Sequence, residues 1–231
     1  AISALEAVEL AGLYSHLADA DAPGTGLDPL TRQQQQRFEQ VLTAVQQAGL
    51  CCGSRHLANS AGTLRTAQLH YDMVRVGLAL YGQRPAPHLG GSLVLQPAMQ
   101  VRARVSLIRE VPAGTGVSYG HRFTTQRPSR LAVVSIGYAD GVPRLLSNRL
   151  QVLHRGRRIP QVGAITMDQL VLDATDAPEL DQGSVVTLLG SDGGERIDPL
   201  AWSDPCGTIP WEILCGFKHR LPRLPAAGPG G

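Results

Sequence analysis

The chain has 231 residues, 43% of them hydrophobic and 17% charged, with a formal net charge of +2, which is room for one large or two ordinary domains of a soluble globular protein. Its basic residues are scattered rather than massed, so charge gives no push toward nucleic acid or a membrane surface. No apolar run approaches the roughly 20 residues that a membrane helix requires. The four cysteines, Cys51, Cys52, Cys206 and Cys215, have neither metal-site nor disulfide-framework spacing and read as reduced thiols of a cytoplasmic protein; no metal site is expected. Glu6 and Glu9 near the start argue against a secretory signal.

In chain order, Ala1 to Ala11 is rich in Ala, Leu and Glu and reads as the remnant of an amphipathic helix. It opens without a methionine, so the sequence reads as the C-terminal portion of a longer protein. Gly12 to Leu17 reads as a buried strand. A loop with Pro23, Gly24 and Gly26 leads to Asp28, a good N-cap, and a helix is expected from Pro29 to Gln47 with Phe38, Val41, Leu42 and Val45 on one face. A short strand near Arg55 to Ala58, a short helix near Gly62 to Ala67 and a third strand from Met73 to Leu80 follow. Strands separated by helices argue for βα units in a parallel sheet or barrel.

The pattern changes after Gly82. Pro85, Pro87 and Gly90-Gly91 form a linker-like stretch. Beyond it, short alternating segments are expected as strands at Met99 to Arg109, Arg130 to Ile136, Leu150 to His154, Arg158 to Val162, Ile165 to Leu172 and Val185 to Leu189, with Arg155-Gly156 as a hairpin tip. This predicts a mostly antiparallel β domain. The divisions drawn are 1–88, 89–223 and a Pro/Gly/Ala-rich tail, 224–231, read as disordered.

Five stretches place polar side chains beside glycines or at strand ends, where sites are built. His16, at the end of the first strand, reads more readily as structural than as catalytic. Asn59 and Ser60 stand ahead of a short helix, where they serve as caps or as a phosphate site. Arg75 interrupts an apolar run and needs a partner if buried, while Gly77 behind it lets backbone approach a ligand. Tyr119 lies between glycines in Gly116-Val117-Ser118-Tyr119-Gly120 and is equally a packed aromatic or a fixed functional one. Tyr138 and Asp140 in one turn, and Met167 and Asp168 in another, complete the set.

In order along the chain, GLYSHLADAD, HLANSAGTL, MVRVGLALYG, GTGVSYGHRF, VVSIGYADGVPR and GAITMDQL resemble the blocks of alanine racemase, a fold-type III pyridoxal-phosphate enzyme. The resemblance runs from about Gly12 to Arg223, and blocks of this number in one order are a specific signal. It implies an α/β plus β architecture: closing strands and helices of a TIM-type (β/α)8 barrel, followed by the β domain. It also implies a homodimer whose active site is shared between subunits, interconverting L- and D-alanine for peptidoglycan synthesis with pyridoxal 5'-phosphate.

Such enzymes hold their cofactor on a lysine, and the only lysine here is Lys218, near the C-terminus. The family's lysine block, like its arginine for the substrate carboxylate, is expected upstream, so the 231 residues alone are expected to be inactive. By position in its motif, Ser60 would hold the cofactor phosphate with the backbone at Gly77 and Leu78, beside Asn59. Arg75 would donate to the pyridine nitrogen, His56 would orient Arg75, and His16 would lie against the ring. Tyr119 matches the tyrosine base, and Tyr138, Met167 and Asp168 the substrate entrance. Trp211 stands where the family usually carries a phosphate-contacting tyrosine. Two other readings compete. The single lysine favours a catalytically inactive fragment or a dimerising or binding module. The shared barrel favours a fold-type III decarboxylase, which lacks the tyrosine of GVSYG.

Overall fold

The computed structural model describes residues 5–225, which fall into two compact units, Ala1–Ala98 and Met99–Gly231. Among the described residues no helix is long and apolar enough to cross a membrane.

The first unit begins with strand β1 (Gly12–Tyr14), which pairs in parallel with β2 (Ser54–His56) through the register Gly12↔Ser54 and Tyr14↔His56. Helix α1 (Pro29–Gln47) makes the connection. It starts where the sequence says it should: Asp28 accepts the Thr31 amide at 2.9 Å, and Pro29, with no N–H to satisfy, opens the first turn. Its Phe38 and Leu42 pack with Leu17, Leu57, Ala58 and Leu69. Helix α2 (Ser60–Arg65) follows β2, capped by Asn59, whose side chain accepts the Gly62 amide at 3.0 Å.

Three expectations fail in this unit. Residues 5–11 form a turn and irregular chain, and the rest of the expected opening helix, residues 1–4, lies outside the described residues. So short a helix is marginal without packing, and Leu5 and Val8 stay exposed. The strand at Gly12–Leu17 ends at Tyr14, its ladder running one step further as the Ser15 amide bonds the His56 carbonyl at 3.3 Å. The third strand, Met73 to Leu80, does not form. One ladder-like bond remains, from the Arg75 amide to the Ala58 carbonyl at 2.9 Å. The chain then curls into a 3-10 turn, Leu78–Tyr81, stopped by Gly82 at φ 75°. A short apolar run suits a buried turn as well as a strand.

The second unit is built on a closed antiparallel barrel. Its strands are β3 (Val101–Val111), β6 (Ser129–Val134), β7 (Gln151–His154), β8 (Arg157–Val162), β9 (Leu170–Asp173) and β10 (Val185–Asp192); β4 (Gly116–Val117) and β5 (Phe123–Thr124) make a separate small ribbon between β3 and β6. The order β10-β3-β6-β9-β8-β7 closes when β7 meets β10 at Leu153↔Thr187. Closure removes the exposed edges of an open sheet. Inward residues such as Val105, Ala132, Val134, Val152, Leu172 and Leu188 fill the interior. Register shifts at Val105/Leu107 and Thr187/Leu189 bend β3 and β10 around the curve. The hairpin tip at Arg155-Gly156 is as expected, both residues having positive φ, 49° and 77°.

Two departures matter. The strand expected at Ile165–Leu172 starts only at Leu170, because Thr166 and Gln169 close a turn on each other: the Thr166 amide meets the Gln169 carbonyl at 2.9 Å. The sequence also gave no sign of β11 (Glu195–Ile197) or of helices α3 (Leu200–Cys206) and α4 (Pro210–Gly216), which follow the barrel strands.

Candidate active site

The site residues fall into two groups, one in each unit. In the first unit, the parallel pairing of β1 and β2 brings Tyr14 beside His56, whose rings stack at 5.3 Å and 8°. Arg75 comes in from the irregular segment after α2. Its guanidinium touches His56 Nδ1 at 2.7 Å and His16 Nδ1 at 3.3 Å, and donates to the carbonyls of Ser15 at 2.7 Å, His56 at 3.2 Å and Leu57 at 3.4 Å. It also lies 5.2 Å from the centre of the Tyr14 ring. Among the described residues no carboxylate pairs with it. A half-buried cation held by carbonyls and imidazoles keeps its charge and offers it to whatever lies in front.

Next to this cluster, Ser60 is buried, and its hydroxyl oxygen accepts the amides of Gly77 at 3.0 Å and Ala79 at 3.4 Å. Both interactions use the oxygen as acceptor, so the hydroxyl proton stays free to be donated. A side chain at Gly77 would meet nothing within 4 Å, so the backbone there borders open space. Leu78, next in line, is buried. A free hydroxyl proton, an open backbone and an uncompensated guanidinium are the donor set that an anionic, nitrogen-containing ligand such as a phosphorylated pyridine needs, and pyridoxal phosphate fits it.

In the second unit, Tyr119 stands on the loop between β4 and β5 and is 75% exposed. The backbone around it is unusual: Ser118 has φ 62° and ψ −172°, Gly120 φ 69° and His121 φ 43°. The Ser118 conformation is one that almost only glycine adopts, at about 1–3 kcal/mol for any other residue. A cavity of about 490 Å³ opens here, lined by Ser118, Tyr119, Gly120, His121, Val133, Thr166, Gln169 and Val171.

The turns carrying Tyr138 and Met167 are locked together. The Tyr138 amide bonds the Thr166 carbonyl at 2.9 Å and the Ala139 amide the Met167 carbonyl at 3.0 Å. Gly137 makes that approach possible, since a Cβ there would collide with the carbonyl oxygens of Thr166 and Met167. The buried Asp140 accepts the Gly137 amide at 2.9 Å. Arg220 bridges the two turns, 3.2 Å from Asp140 and in contact with Asp168, and these two carboxylates raise its already high pKa, the Asp168 hydrogen bond most. Trp211 sits half-buried in the first turn of α4.

The expected residues therefore assemble as His16, His56 and Arg75 in one cluster, Asn59, Ser60, Gly77 and Leu78 beside it, and Tyr138, Met167 and Asp168 in another; Tyr119 shares a cavity with Thr166. Three contributors escaped the sequence reading. Tyr14 and the Ser15 carbonyl were within reach, since both belong to the GLYSHL block that singled out His16. Arg220 carries no local signal, because its partners lie 80 and 52 positions away in the chain.

Fold and geometry define a chain that joins a βαβ unit carrying the Arg75 and Ser60 clusters to a β barrel presenting a tyrosine. Two family models match it: "Alanine racemase, N-terminal domain" over residues 1–85 and "Alanine racemase, C-terminal domain" over residues 98–225. The chain belongs to the alanine racemase family. It is 58% identical over 221 residues to the alanine racemase of Prochlorococcus marinus, which covers 95% of this chain and 57% of that protein. The solved alanine racemase of Clostridium difficile, in complex with cycloserine, superposes with a TM-score of 0.86 at 32% identity, over 94% of this chain and 56% of that one. That of Bartonella henselae, with covalently bound pyridoxal phosphate, gives 0.76 at 36% identity, over 93% and 56%. The chain thus spans a little over half the length of the relatives it matches.

Proposed function

We propose that this chain carries one catalytic base and most of the cofactor cradle of an alanine racemase, an isomerase that interconverts L- and D-alanine in the cytoplasm as a homodimer. The observation that carries this reading is Arg75, a guanidinium fixed by His56 and three carbonyls with no carboxylate partner among the described residues. The βαβ unit is then part of a (β/α)8 barrel, and the remaining strands and the cofactor lysine belong to the portion of the relatives' length that this chain does not span.

Ser60 would donate its free hydroxyl proton to the phosphate beside the open backbone of Gly77, helped by the backbone at Leu78, with Asn59 holding the turn through the Gly62 amide. Arg75 would donate to the ring nitrogen and keep its own proton, because a guanidinium is not deprotonated in proteins. His56 fixes the guanidinium from behind, and His16 borders it at its outer end. When bound, pyridoxal phosphate supplies an electron-withdrawing ring that makes the alanine Cα–H acidic.

Tyr119 would take or return that proton at its phenolic oxygen on one face of Cα, in the site of the other protomer, while a lysine serves the opposite face. A phenol needs neighbouring positive charge to serve as a base near neutrality, and His16 and Arg75 are the candidates for that network. Tyr138, Met167 and Asp168 would border the substrate's way in.

The test is the circular dichroism of L-alanine with added pyridoxal phosphate, using the chain joined to the segment its relatives carry in addition. The signal is expected to decay to that of the racemate, and to stay constant with the 231 residues alone. A constant signal with the joined, cofactor-loaded protein overturns the reading.

A further inference from the structure

We propose that Ser118 is a positioning residue for Tyr119, holding the phenol at the angle that proton transfer requires; this rests on the reading of Tyr119 as a base. Within its own chain Tyr119 is 75% exposed, so packing inside the protomer does not aim it. Within the protomer its place is set by the backbone of the loop, and the residue before it occupies a conformation nearly restricted to glycine, φ 62° and ψ −172°.

Glycine would adopt that conformation without strain, yet a serine stands there, and its hydroxyl has a use. Ser118 Oγ donates to the Ala164 carbonyl at 2.7 Å, tying the loop to the segment that follows β8. That segment comes close because Gly163, at φ 78°, has no side chain; a Cβ there would stand 3.0 Å from Ser118 Cβ and 2.8 Å from the Val117 carbonyl oxygen. On the far side of the phenol, the His121 amide bonds back to the Ser118 carbonyl at 3.2 Å, and the His121 ring covers Gly116 so closely that a Cβ would lie 2.5 Å from it. The ribbon of β4 and β5, with Val117 opposite Phe123, closes the loop's base.

The tether therefore holds a strained link of the loop, the residue directly before the phenol. A displacement of about 1 Å at a reacting group is worth about a hundredfold in rate, so a serine that fixes this link is worth its strain.

The experiment compares Ser118→Gly, Ser118→Ala and Tyr119→Phe. Both serine variants remove the tether, and the glycine also removes the strain, so it keeps the fold. In the 231-residue chain, amide hydrogen exchange at His121 is expected to quicken at least tenfold in Ser118→Gly while Val117 and Phe123 stay as they were. In the joined, cofactor-loaded protein the same variant is expected to lower kcat about ten- to hundredfold with KM changed less than about twofold. Unchanged His121 exchange in both serine variants overturns the tether, and a wild-type kcat in Ser118→Gly overturns the positioning role while leaving Tyr119 as base. Full activity in Tyr119→Phe instead overturns the base reading itself.

Discussion

Arg75 shows what a single residue contributes and what can be read of it. The sequence marks it as an anomaly, a cation in the run Met73-Val74-Arg75-Val76, and physics says that it needs partners. Its partners turn out to be carbonyls of Ser15, His56 and Leu57 and the His56 ring, a set that no spacing rule reveals. Replacing it by glutamine removes a hydrogen bond from a charged donor, worth about 1.5–3 kcal/mol. Arg75→Gln is therefore expected to weaken pyridoxal phosphate binding roughly ten- to hundredfold in a fluorescence titration. An unchanged affinity would remove Arg75 from the cradle.

A second residue-scale prediction concerns pH. Burial, helped by its 2.5 Å hydrogen bond to Glu39, pushes the Tyr71 phenol up to about 12. A raised folded pKa means that the folded state holds the proton more tightly. Its contribution is complete below the ordinary value of about 10 and is lost as pH climbs through 12. Tyr71→Phe should flatten the fall in thermal stability across that window, and an unaltered slope would count against it. At the acid end, the Arg55 hydrogen bonds hold Asp72 down to about 2. Both groups are exposed enough for water and salt to screen the pair, so its effect below the ordinary carboxylate range is expected to be small.

At the scale of elements, local chemistry made some boundaries legible and left others hidden. Helix α1 runs over the residues that Asp28, Pro29 and the Phe38/Leu42 face predict, because cap and periodicity agree. The run Met73 to Leu80 has strand-like composition but keeps only the Arg75 amide bond to the Ala58 carbonyl, just past β2, and only tertiary structure decides that. Helices α3 and α4 are seven residues each, and Pro205 inside the first hides it from any propensity argument. The paired turns at 137–141 and 166–169 were visible as turns, but their union through Gly137, Asp140 and Arg220 was not, since each partner is distant in sequence.

That union yields a ranking. Asp140 is buried and accepts the Gly137 amide, so Asp140→Ala leaves a buried donor unmet and is expected to cost about 1–3 kcal/mol in denaturant unfolding. Arg220 is half-exposed, and Arg220→Gln should cost less than about 1 kcal/mol. The reverse order would mean that the ion pair, not the capped amide, holds the turns.

On the scale of the whole molecule, the two units differ in how completely they satisfy themselves. The Met99–Gly231 unit closes its barrel through β7 and β10 and buries a continuous core, whereas the Ala1–Ala98 unit rests on two strands of three residues each, with Tyr14 and Leu80 exposed. The alternation of helix and strand, then of short strands alone, marks a change of architecture in the sequence, because periodicity of 3.6 and of 2 are distinct signals, but the boundary drawn from composition falls at 88/89 and that between the units at 98/99. Barrel closure was not legible, since it depends on which strands pair rather than on what each contains.

The most direct test of the account measures deuterium entry at Cα of alanine in D2O. It uses the joined, cofactor-loaded protein and starts separately from L- and from D-alanine. With two bases on opposite faces, Tyr119→Phe should abolish exchange from one enantiomer and leave most of it from the other. Equal exchange from both enantiomers at the unmodified rate would contradict the assignment of Tyr119, and with it the central claim.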